Sequence, residues 1–385
     1  MNNNHVQKYK ISHISTVHST RDPRIVYKEV LSLAKAGYSV YLILQKDKIY
    51  VKHDNIKYVF IDKIPGLLGR IKKNLQTFRK AVQIDAALYH FHDPELIFLG
   101  LFLKIVMRKI VIYDIHELHG DEILHKHYLN KVSAFILSKM YTLVETISIK
   151  FFDHLILAEA GYQDYYKNRK YLVLQNFIPR SFVRETLINE HTNADVINLV
   201  YLGTITRARG IKEILQLAFL LKDRIKFFIH LIGPFESPEV HAETKDFITN
   251  NLLSSQFQIY GELPLPHALG IVEKCQVGIV FLHPILNNRV ILSTKFFDYM
   301  SQGLILLMTN FDLWERFNEK YQCGLTVDIF AISREIDRIC EFFKNKHSMR
   351  QTQRRNLENV KKKFIWEVEE LKLLKLYSEL VPLSS

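Results

Sequence analysis

Short runs of β-branched and apolar residues alternate with longer helical patterns along both halves of this 385-residue sequence. Such alternation is typical of β-α-β units, in which neighbouring strands are parallel and helices cover the faces of the sheet. The pattern therefore predicts an α/β fold with one parallel sheet in each half. The predicted strands are 10–15, 40–44, 58–61, 87–91, 110–113, 154–158 and 171–174 in the first half, and 197–202, 226–232, 258–260, 277–281 and 304–308 in the second.

A polar segment without clear periodicity, residues 176–195, separates the two halves. We expect a first α/β domain at 1–178, a linker at 179–196 and a second α/β domain at 197–363. The tail, 364–382, is expected to form a helix with two apolar stripes that can pack against two surfaces. Two such domains facing each other across a cleft would present the C-terminal ends of their strands to a ligand.

The segment 293–303 (STKFFDYMSQG) predicts a helix that begins at two possible capping residues, Ser293 and Thr294, and ends at Gly303. A helix N-terminus attracts phosphate because its backbone N–H groups and the positive end of its dipole point outward. Asp298 follows about one and a half turns later, where a carboxylate can accept both hydroxyls of a ribose. The segment fits a nucleotide site, although an ordinary amphipathic helix would show the same pattern.

Basic residues outnumber acidic ones by 52 to 40, and residues 1–190 hold 28 basic against 18 acidic side chains. An anionic partner is therefore expected to meet the first half of the chain. In that half, residues 67–82 predict a basic amphipathic helix. Its apolar stripe can pack on the sheet, which we favour, or the helix can dock on an anionic bilayer.

The three cysteines are scattered without a CxxC spacing, which argues against a disulfide framework and fits a reducing compartment. The first seven residues are polar and unlike a signal peptide, and the apolar run 96–103 is too short to span a bilayer. We therefore expect a cytoplasmic protein, with peripheral attachment to the inner face of the cell membrane as an open alternative.

Several short motifs follow one another in a characteristic order. They are residues 22–25 (DPRI), 32–38 (SLAKAGY), 90–96 (HFHDPEL), 113–117 (YDIHE), 201–203 (YLG), 209–210 (RG), 295–303 (KFFDYMSQG) and 366–367 (WE). Together they resemble the family 4 retaining glycosyltransferases of the GT-B fold, most closely bacterial members that build capsular or lipopolysaccharide sugars. The resemblance covers almost the whole chain. It implies two Rossmann-like domains facing across a cleft, with a C-terminal helix that crosses back onto the first domain.

The resemblance also implies an activity. A sugar would pass from a nucleotide-diphospho-sugar, bound by the second domain, to a hydroxyl of a growing, lipid-linked bacterial surface polysaccharide, bound by the first. The anomeric configuration would be retained, and neither a metal ion nor another cofactor would be needed. The implied donor site consists of Gly203, Thr204, Arg207, Arg209, Ser293, Thr294, Lys295 and Asp298.

Within that implied site, Arg209 and Lys295 would neutralise the departing diphosphate, and both are assigned catalytic roles. Thr204 stands where the family usually carries an arginine, and Arg207 is a candidate for the missing charge. Val290 replaces the first of the family's paired acids, so that Asp298 is assigned to the ribose alone.

His116 is the third residue to which the resemblance gives a catalytic role, beside the reacting carbon of the donor sugar. Its imidazole or backbone carbonyl can stabilise an oxocarbenium-like state there. Acceptor contacts are expected from Asp22, Arg24, His92, Asp93 and Glu117. For Asp22 and Arg24 a helix-capping role fits equally well, and Glu117 can also be a simple cap.

The first half concentrates possible metal ligands, namely His90, His92, Asp93, Asp114, His116, His119 and Glu122. Residues 116–119 (HELH) fall one residue short of the HExxH pattern of zinc proteases, because Gly120 stands where the second histidine is needed. We therefore expect no metal site and interpret these side chains as polar groups that line a cleft.

Other functions remain open at this point. A nucleotide-sugar epimerase on the same fold would bind a similar donor, but no dedicated acid–base pair is visible for it. A basic nucleic-acid-binding protein would explain the charge, but no binding motif or aromatic platform accompanies it, and we expect no nucleic-acid partner. The departures at Thr204 and Val290 also fit a catalytically weak or specialised homologue.

Overall fold

The computed structural model describes residues 9–47, 50–124, 130–187 and 195–382. The chain divides into two compact units, the first comprising Met1–Asn176 and Trp366–Ser385 and the second Phe177–Ile365. Each unit is built on one parallel sheet with flanking helices, which confirms the expected α/β class. The segment expected as a linker, 179–196, falls within the second unit, and its residues 188–194 lie outside the described ranges.

The first unit contains a seven-stranded sheet. Its strands are β1 (Lys10–Ser19), β2 (Ser39–Gln45), β3 (Ile56–Ile61), β4 (Leu88–Phe91), β5 (Ile110–Ile115), β6 (His154–Leu157) and β7 (Tyr171–Val173). Their order is β3-β2-β1-β4-β5-β6-β7, and all neighbours are parallel. The strand order reverses between β1 and β4, and open α/β sheets bind ligands at the C-terminal strand ends beside such a reversal.

The helices of the first unit are α1 (Leu31–Lys35), α2 (Gly66–Ile84), α3 (Ile97–Ile105), α4 (His119–Leu124), α5 (Lys131–Ser148), α6 (Gln163–Tyr166) and the C-terminal α15 (Trp366–Leu380). A π-helical turn, Ile25–Val30, leads into α1. In this turn the N–H of Glu29 donates to the carbonyl of Arg24 at 3.0 Å, five residues earlier. Such turns are rare and are frequent at functional sites.

The C-terminal helix α15 packs into the core of the first unit through one face. Trp366, Leu373 and Tyr377 are buried in the cluster that contains residues of β1, β2 and β4. The Nε1 of Trp366 donates to Ser32 Oγ at 3.0 Å. Leu371 of the same helix is 70% exposed, so the expectation that two apolar stripes are packed does not hold at this residue.

The second unit contains a six-stranded parallel sheet. Its strands are β8 (Ile197–Leu202), β9 (Phe227–Ile232), β10 (Phe257–Gly261), β11 (Val277–Val280), β12 (Ile305–Thr309) and β13 (Gly324–Val327). Their order is β10-β9-β8-β11-β12-β13, so this sheet reverses between β8 and β11. All twelve predicted strands are present, whereas β13 was not predicted. That strand is only four residues long, begins with a glycine and lies at the sheet edge, which makes its sequence signal weak.

The helices of the second unit are α7 (Ile211–Leu221), α8 (Pro238–Asn250), α9 (Leu265–Val272), α10 (Leu286–Val290), α11 (Thr294–Ser301), α12 (Asp312–Tyr321), α13 (Ile332–Lys344) and α14 (Lys346–Lys363). The predicted helix in 293–303 is therefore confirmed as α11. Its Tyr299 hydroxyl accepts the N–H of Leu202 at 2.8 Å, which fixes α11 against the end of β8. Within the described ranges, no helix is both long and apolar enough to cross a membrane.

Candidate functional site

The first group of site residues lies at the C-terminal end of β8 in the second unit. Gly203 follows this strand with a φ of 129°, a conformation that favours glycine. A β-carbon on Gly203 would lie 3.1 Å from Cε and 3.3 Å from Nζ of Lys295. The lysine at the start of α11 is thus seated directly on the glycine loop, and these two predicted donor-site residues are brought together.

Positive charge is concentrated at this loop. The Nζ of Lys295 lies 5.7 Å from the ring centroid of Tyr201. Burial raises the pKa of Tyr201 to about 12, and the positive charge of Arg209 beside its hydroxyl limits the rise. Burial and the proximity of Arg209 lower the pKa of Lys295 to about 8, although Asp298 acts in the opposite direction. Lys295 and Arg209 place two positive charges close together, and Asp298 offsets only part of them. Such a site is suited to an anion.

The start of α11 supplies backbone donors to the same region. Ser293 occupies the N-cap position, but its side chain makes no capping hydrogen bond, and Thr294 is the first helical residue. The Phe296 amide donates to the Ser293 carbonyl at 2.9 Å. The earlier amides of the first turn are not capped by the Ser293 side chain and can donate to an anion. Asp298 lies one turn beyond Lys295 on this helix.

Two other predicted donor-site residues differ in their surroundings. Arg207 is exposed and its guanidinium pairs with Glu243 at 2.7 Å and with Glu236 at 4.0 Å. Its charge is already matched by carboxylates, in contrast to that of Lys295. Thr204 takes part through its backbone, since its carbonyl accepts the hydroxyl of Tyr201 at 2.8 Å. Nothing in this geometry makes Arg207 a substitute for the arginine that the sequence resemblance leads one to expect at position 204.

The first unit contains a cavity of about 740 Å³ beside the ends of β4 and β5. One part of its wall is polar and includes His92, Asp93, His116 and Glu117, four of the residues predicted for this unit. The other part is apolar and is formed by side chains of α3 and α5, namely Ile97, Phe98, Leu137, Met140 and Val144. Such a cavity fits a ligand with one polar and one apolar portion.

Asp93 is fixed by the C-terminal end of β1. Its Oδ2 accepts hydrogen bonds from Ser15 Oγ at 2.9 Å, from the Thr16 amide at 2.5 Å and from the Val17 amide at 3.2 Å. Its Oδ1 faces His18 Nε2 at 3.8 Å. One carboxylate oxygen is thus saturated by the strand end, and the other is directed to the cavity residue His18.

His116 lies at the end of β5 in a network of buried polar groups. Its Nε2 is 3.1 Å from Asp114 Oδ2 and 3.2 Å from His92 Nδ1, and its carbonyl accepts the Tyr162 hydroxyl at 3.3 Å. Burial lowers the pKa of His92, although Asp114 acts against it. His116 is therefore held in orientation by a carboxylate, while part of its ring faces the cavity.

Asp22 and Arg24 do not line this cavity. Arg24 is buried and pairs with Asp114 through two nitrogens, at 3.0 and 3.1 Å, and with Glu29 at 3.0 Å. Burial alone would raise the pKa of Asp22, but His18 at 2.7 Å lowers it to about 2, and Asp22 also accepts the Ile25 amide. The capping interpretation fits Asp22, whereas the Arg24 guanidinium is held by Asp114 and Glu29. Acceptor contacts by these two residues stay a prediction.

A second cluster lies beneath the cavity wall. His13 of β1 and His90 of β4 are opposite each other in register, and His92 and Glu29 complete a group of four buried side chains. Burial, the other histidines and Arg24 hold the pKa of His90 far below its usual value. Two further groups of possible metal ligands occur in the described ranges: His92 with Asp114 and His116, and Glu117 with His119 and Glu122.

Sequence reasoning missed His13, Glu29 and Tyr377, which all belong to this buried network. The alternation of His90 and His92 along one strand was a visible signal. The partner residues gave no such signal. His13 of β1 pairs with His90 of β4 although the two are far apart in sequence, and Tyr377 is contributed by α15.

The sequence matches no model of a known protein family. No curated protein is significantly similar to it in sequence. Solved structures are similar in fold along almost the entire chain. Sucrose-phosphate synthase from Thermosynechococcus elongatus has a TM-score of 0.76 at 14% identity, over 98% of this chain and 100% of that one. HepE from Anabaena, in complex with UDP and glucose, has a TM-score of 0.69 at 11% identity, over 96% and 100%.

A third similar structure is WaaG, a glycosyltransferase involved in lipopolysaccharide biosynthesis, with a TM-score of 0.68 at 8% identity over 97% of this chain and 99% of that one. At such low identity these similarities establish the fold and nothing further. The two parallel sheets and their helices form the GT-B fold, as the sequence motifs indicated.

Proposed function

We propose that this protein is a retaining glycosyltransferase that moves a sugar from a nucleoside-diphosphate sugar to a lipid-linked bacterial surface glycan. The observation that carries the proposal is the cationic site in the second unit, where Lys295 lies on Gly203 beside Arg209 at the N-terminus of α11. Its groups match a diphosphate in charge and in hydrogen-bond donors. The motif resemblance and the fold point to the same chemistry.

The roles of the donor-site residues follow from their chemistry. Arg209, Lys295 and the amides of α11 would hold the diphosphate and stabilise the negative charge that develops when the bond to the anomeric carbon breaks. Asp298 would accept the ribose hydroxyls. The acceptor oxygen would attack from the side of the leaving group, and its proton would pass to the departing diphosphate oxygen. No metal ion is needed in this scheme, since the protein supplies the positive charge.

The cavity in the first unit supports a lipid-linked acceptor. Its polar wall, with Asp93 and His116, suits sugar hydroxyls, and its apolar wall suits a hydrocarbon chain. His116 would serve the reaction from this unit by orienting hydroxyls or stabilising an oxocarbenium-like state.

Exposed apolar side chains support attachment to a membrane surface. On α2, Leu68 and Ile71 are 83% and 62% exposed, contrary to the favoured expectation that this stripe packs on the sheet. Helix α5 is unusual because it buries polar residues and exposes apolar ones. The exposed set is Val132, Phe135, Ile136, Leu137, Met140, Leu143 and Ile147. Together with the excess of basic residues in 1–190, this surface fits an anionic bilayer.

The first experiment is a thermal-shift panel of UDP, GDP, ADP, CMP and dTDP, with and without magnesium. Stabilisation by one nucleoside diphosphate, independent of magnesium, is the expected result. The matched variants are Arg209→Ala, expected to lower the transfer rate by roughly 100- to 1,000-fold, and Arg207→Ala, expected to have little effect.

Sugar conjugates of the nucleoside diphosphate identified in this way are then offered as donors, and the product of transfer is examined by NMR. Retention of the anomeric configuration is expected. Inversion would refute the mechanism, and release of an epimerised sugar without any acceptor would favour the epimerase instead. Unchanged transfer in Arg209→Ala would show that the diphosphate site has been assigned wrongly.

A further inference from the structure

Three histidine rings and one carboxylate converge on a point inside the first unit. His13 Nδ1, His90 Nε2 and His92 Nε2 lie 3.9, 4.0 and 3.9 Å from Glu29 Oε2. All four side chains are buried, with at most 1% of any residue exposed. These separations are too long for hydrogen bonds, yet the four atoms all lie within 4.8 Å of one another.

We propose that His13, Glu29, His90 and His92 bind a structural divalent transition-metal ion, with zinc as the best fit. Imidazole nitrogens and a carboxylate oxygen are regular zinc ligands, and four protein ligands in a closed site are typical of structural zinc. The three edges that meet at Glu29 Oε2 are about 3.9 Å long, whereas the edge between His13 Nδ1 and His92 Nε2 is 3.1 Å. In a regular tetrahedron, edges of about 3.9 Å place the centre about 2.4 Å from each corner, so side-chain shifts of a few tenths of an ångström would bring the four atoms to the distances that zinc requires.

The outer partners of the three rings support this assignment. The other nitrogens of His13 and His90 both lie 2.9 Å from the Tyr377 hydroxyl, whose oxygen can accept two hydrogen bonds. The other nitrogen of His92 lies 3.2 Å from Asp114 Oδ2. Metal-bound histidines regularly donate their second N–H to such oxygen atoms, which fixes the ring and the tautomer. Each ring is thus held with one nitrogen outward and one toward the common point.

Two of the four converging atoms are not satisfied by a hydrogen bond. Neither His90 Nε2 nor Glu29 Oε2 makes a hydrogen bond within the described part of the chain. A buried polar atom without a partner costs about 1–3 kcal/mol. A hydrogen bond between His13 Nδ1 and His92 Nε2, which are 3.1 Å apart, would satisfy one pair without a metal but would leave these two atoms unsatisfied.

The surrounding charge permits a cation. Arg24 contacts Glu29 through its Oε1, on the side away from the histidines, and also pairs with Asp114. Burial and the neighbouring Asp114 raise the pKa of Glu29 well above its usual value, although Arg24 acts against them. A divalent ion would displace the Glu29 proton, and Arg24, Glu29 and Asp114 would then carry one net negative charge. A divalent ion therefore enters a site that is not electropositive before it binds.

The ion would connect elements that are distant in sequence. His13 belongs to β1, Glu29 to the π-helical turn, and His90 and His92 lie on and just after β4, while Tyr377 extends the contact to α15. His92 also lines the cavity and contacts His116. The metal would thus stabilise the base of the cavity within the first unit.

Elemental analysis of the purified full-length protein tests the proposal. About one zinc per chain is expected after dialysis, and removal by a strong chelator should lower the melting temperature until zinc alone is returned. Cobalt should replace zinc and give the intense visible absorption of a tetrahedral site. His347 is exposed, and the His347→Gln variant is the matched histidine control, which should behave like the wild type.

Two variants separate the metal site from a merely structural network. Glu29→Gln keeps the shape of the side chain and should lose stoichiometric zinc together with the zinc-dependent rise in melting temperature. Tyr377→Phe removes only the outer oxygen and should weaken zinc affinity roughly 10- to 100-fold.

The proposal would be overturned if the purified wild-type protein contained no zinc and if neither its melting temperature nor its cobalt spectrum responded to added metal. The four side chains would then form a hydrogen-bond network without a metal. Full zinc content in Glu29→Gln would also overturn the proposal. Because the donor site lies in the other unit, either result leaves nucleotide binding to be judged by its own experiment.

Discussion

Lys295 lies over Gly203, with its Cε only 3.1 Å from the position that a β-carbon on that glycine would occupy. The contact brings the only lysine of α11 to the loop after β8, where the carbonyl end of a parallel strand meets a helix N-terminus. The Gly203→Ala variant should therefore strain the backbone and displace the ammonium group. A weakening of nucleoside-diphosphate affinity of at least about tenfold is expected, measured by calorimetry.

Gly261→Ala is the matched control for that variant. Gly261 has a φ of 70°, and a β-carbon there would meet nothing within 4 Å. Both alanine variants should lower the melting temperature, because both positions favour glycine, but only Gly203→Ala should lose nucleotide affinity. Equal losses of affinity would show that the effect comes from general destabilisation.

The depressed pKa of Lys295 predicts the pH dependence of nucleotide binding. In the free protein this lysine has a pKa of about 8, so it is charged below pH 8 and loses its proton as the pH rises through that value. Affinity for a nucleoside diphosphate should accordingly fall above pH 8, by up to about tenfold per pH unit while bound nucleotide keeps the lysine charged. Lys295→Arg retains its charge at every accessible pH and should give a nearly flat profile.

Much of the second unit could be predicted because its signals are local in sequence. Gly203 follows an apolar strand directly, and Lys295 and Asp298 share one short helix. The buried cluster of the first unit could not be predicted in this way. Its assembly depends on the register between His13 and His90, and on Tyr377 reaching His13 across 364 residues.

The orientation of α5 could not be predicted from the sequence either. Periodicity identifies which residues share a helix face, but it does not say which face the sheet covers. Here the sheet side receives Glu145, which accepts hydrogen bonds from Tyr113, Tyr141 and Tyr166, so the apolar side faces outward. Three tyrosine hydroxyls satisfy one buried carboxylate, and no local sequence pattern predicts that arrangement.

Asp298 provides a test of ribose recognition. A carboxylate that accepts ribose hydroxyls contributes about 1.5–3 kcal/mol per charged hydrogen bond, which corresponds to roughly 10- to 100-fold in affinity. Asp298→Ala should weaken binding of the ribonucleoside diphosphate by that factor. It should have a smaller effect on the 2′-deoxy analogue, which retains only one of the two hydroxyls. A variant that loses equal affinity for both ligands would place the ribose elsewhere.

The outward apolar face of α5 predicts binding to anionic membranes. Phe135, Met140 and Leu143 are between 56% and 62% exposed, a costly arrangement in water unless a surface covers them. Replacing all three by glutamine should reduce sedimentation with vesicles that contain anionic lipid by at least about tenfold, since each buried apolar side chain contributes about 1.5–3 kcal/mol.

Phe330→Gln, at a residue of the second unit that is 61% exposed, is the matched control and should bind as the wild type does. Because basic side chains also contribute, wild-type binding should weaken as salt rises. Sedimentation of the triple variant at the wild-type level would show that this face has another partner.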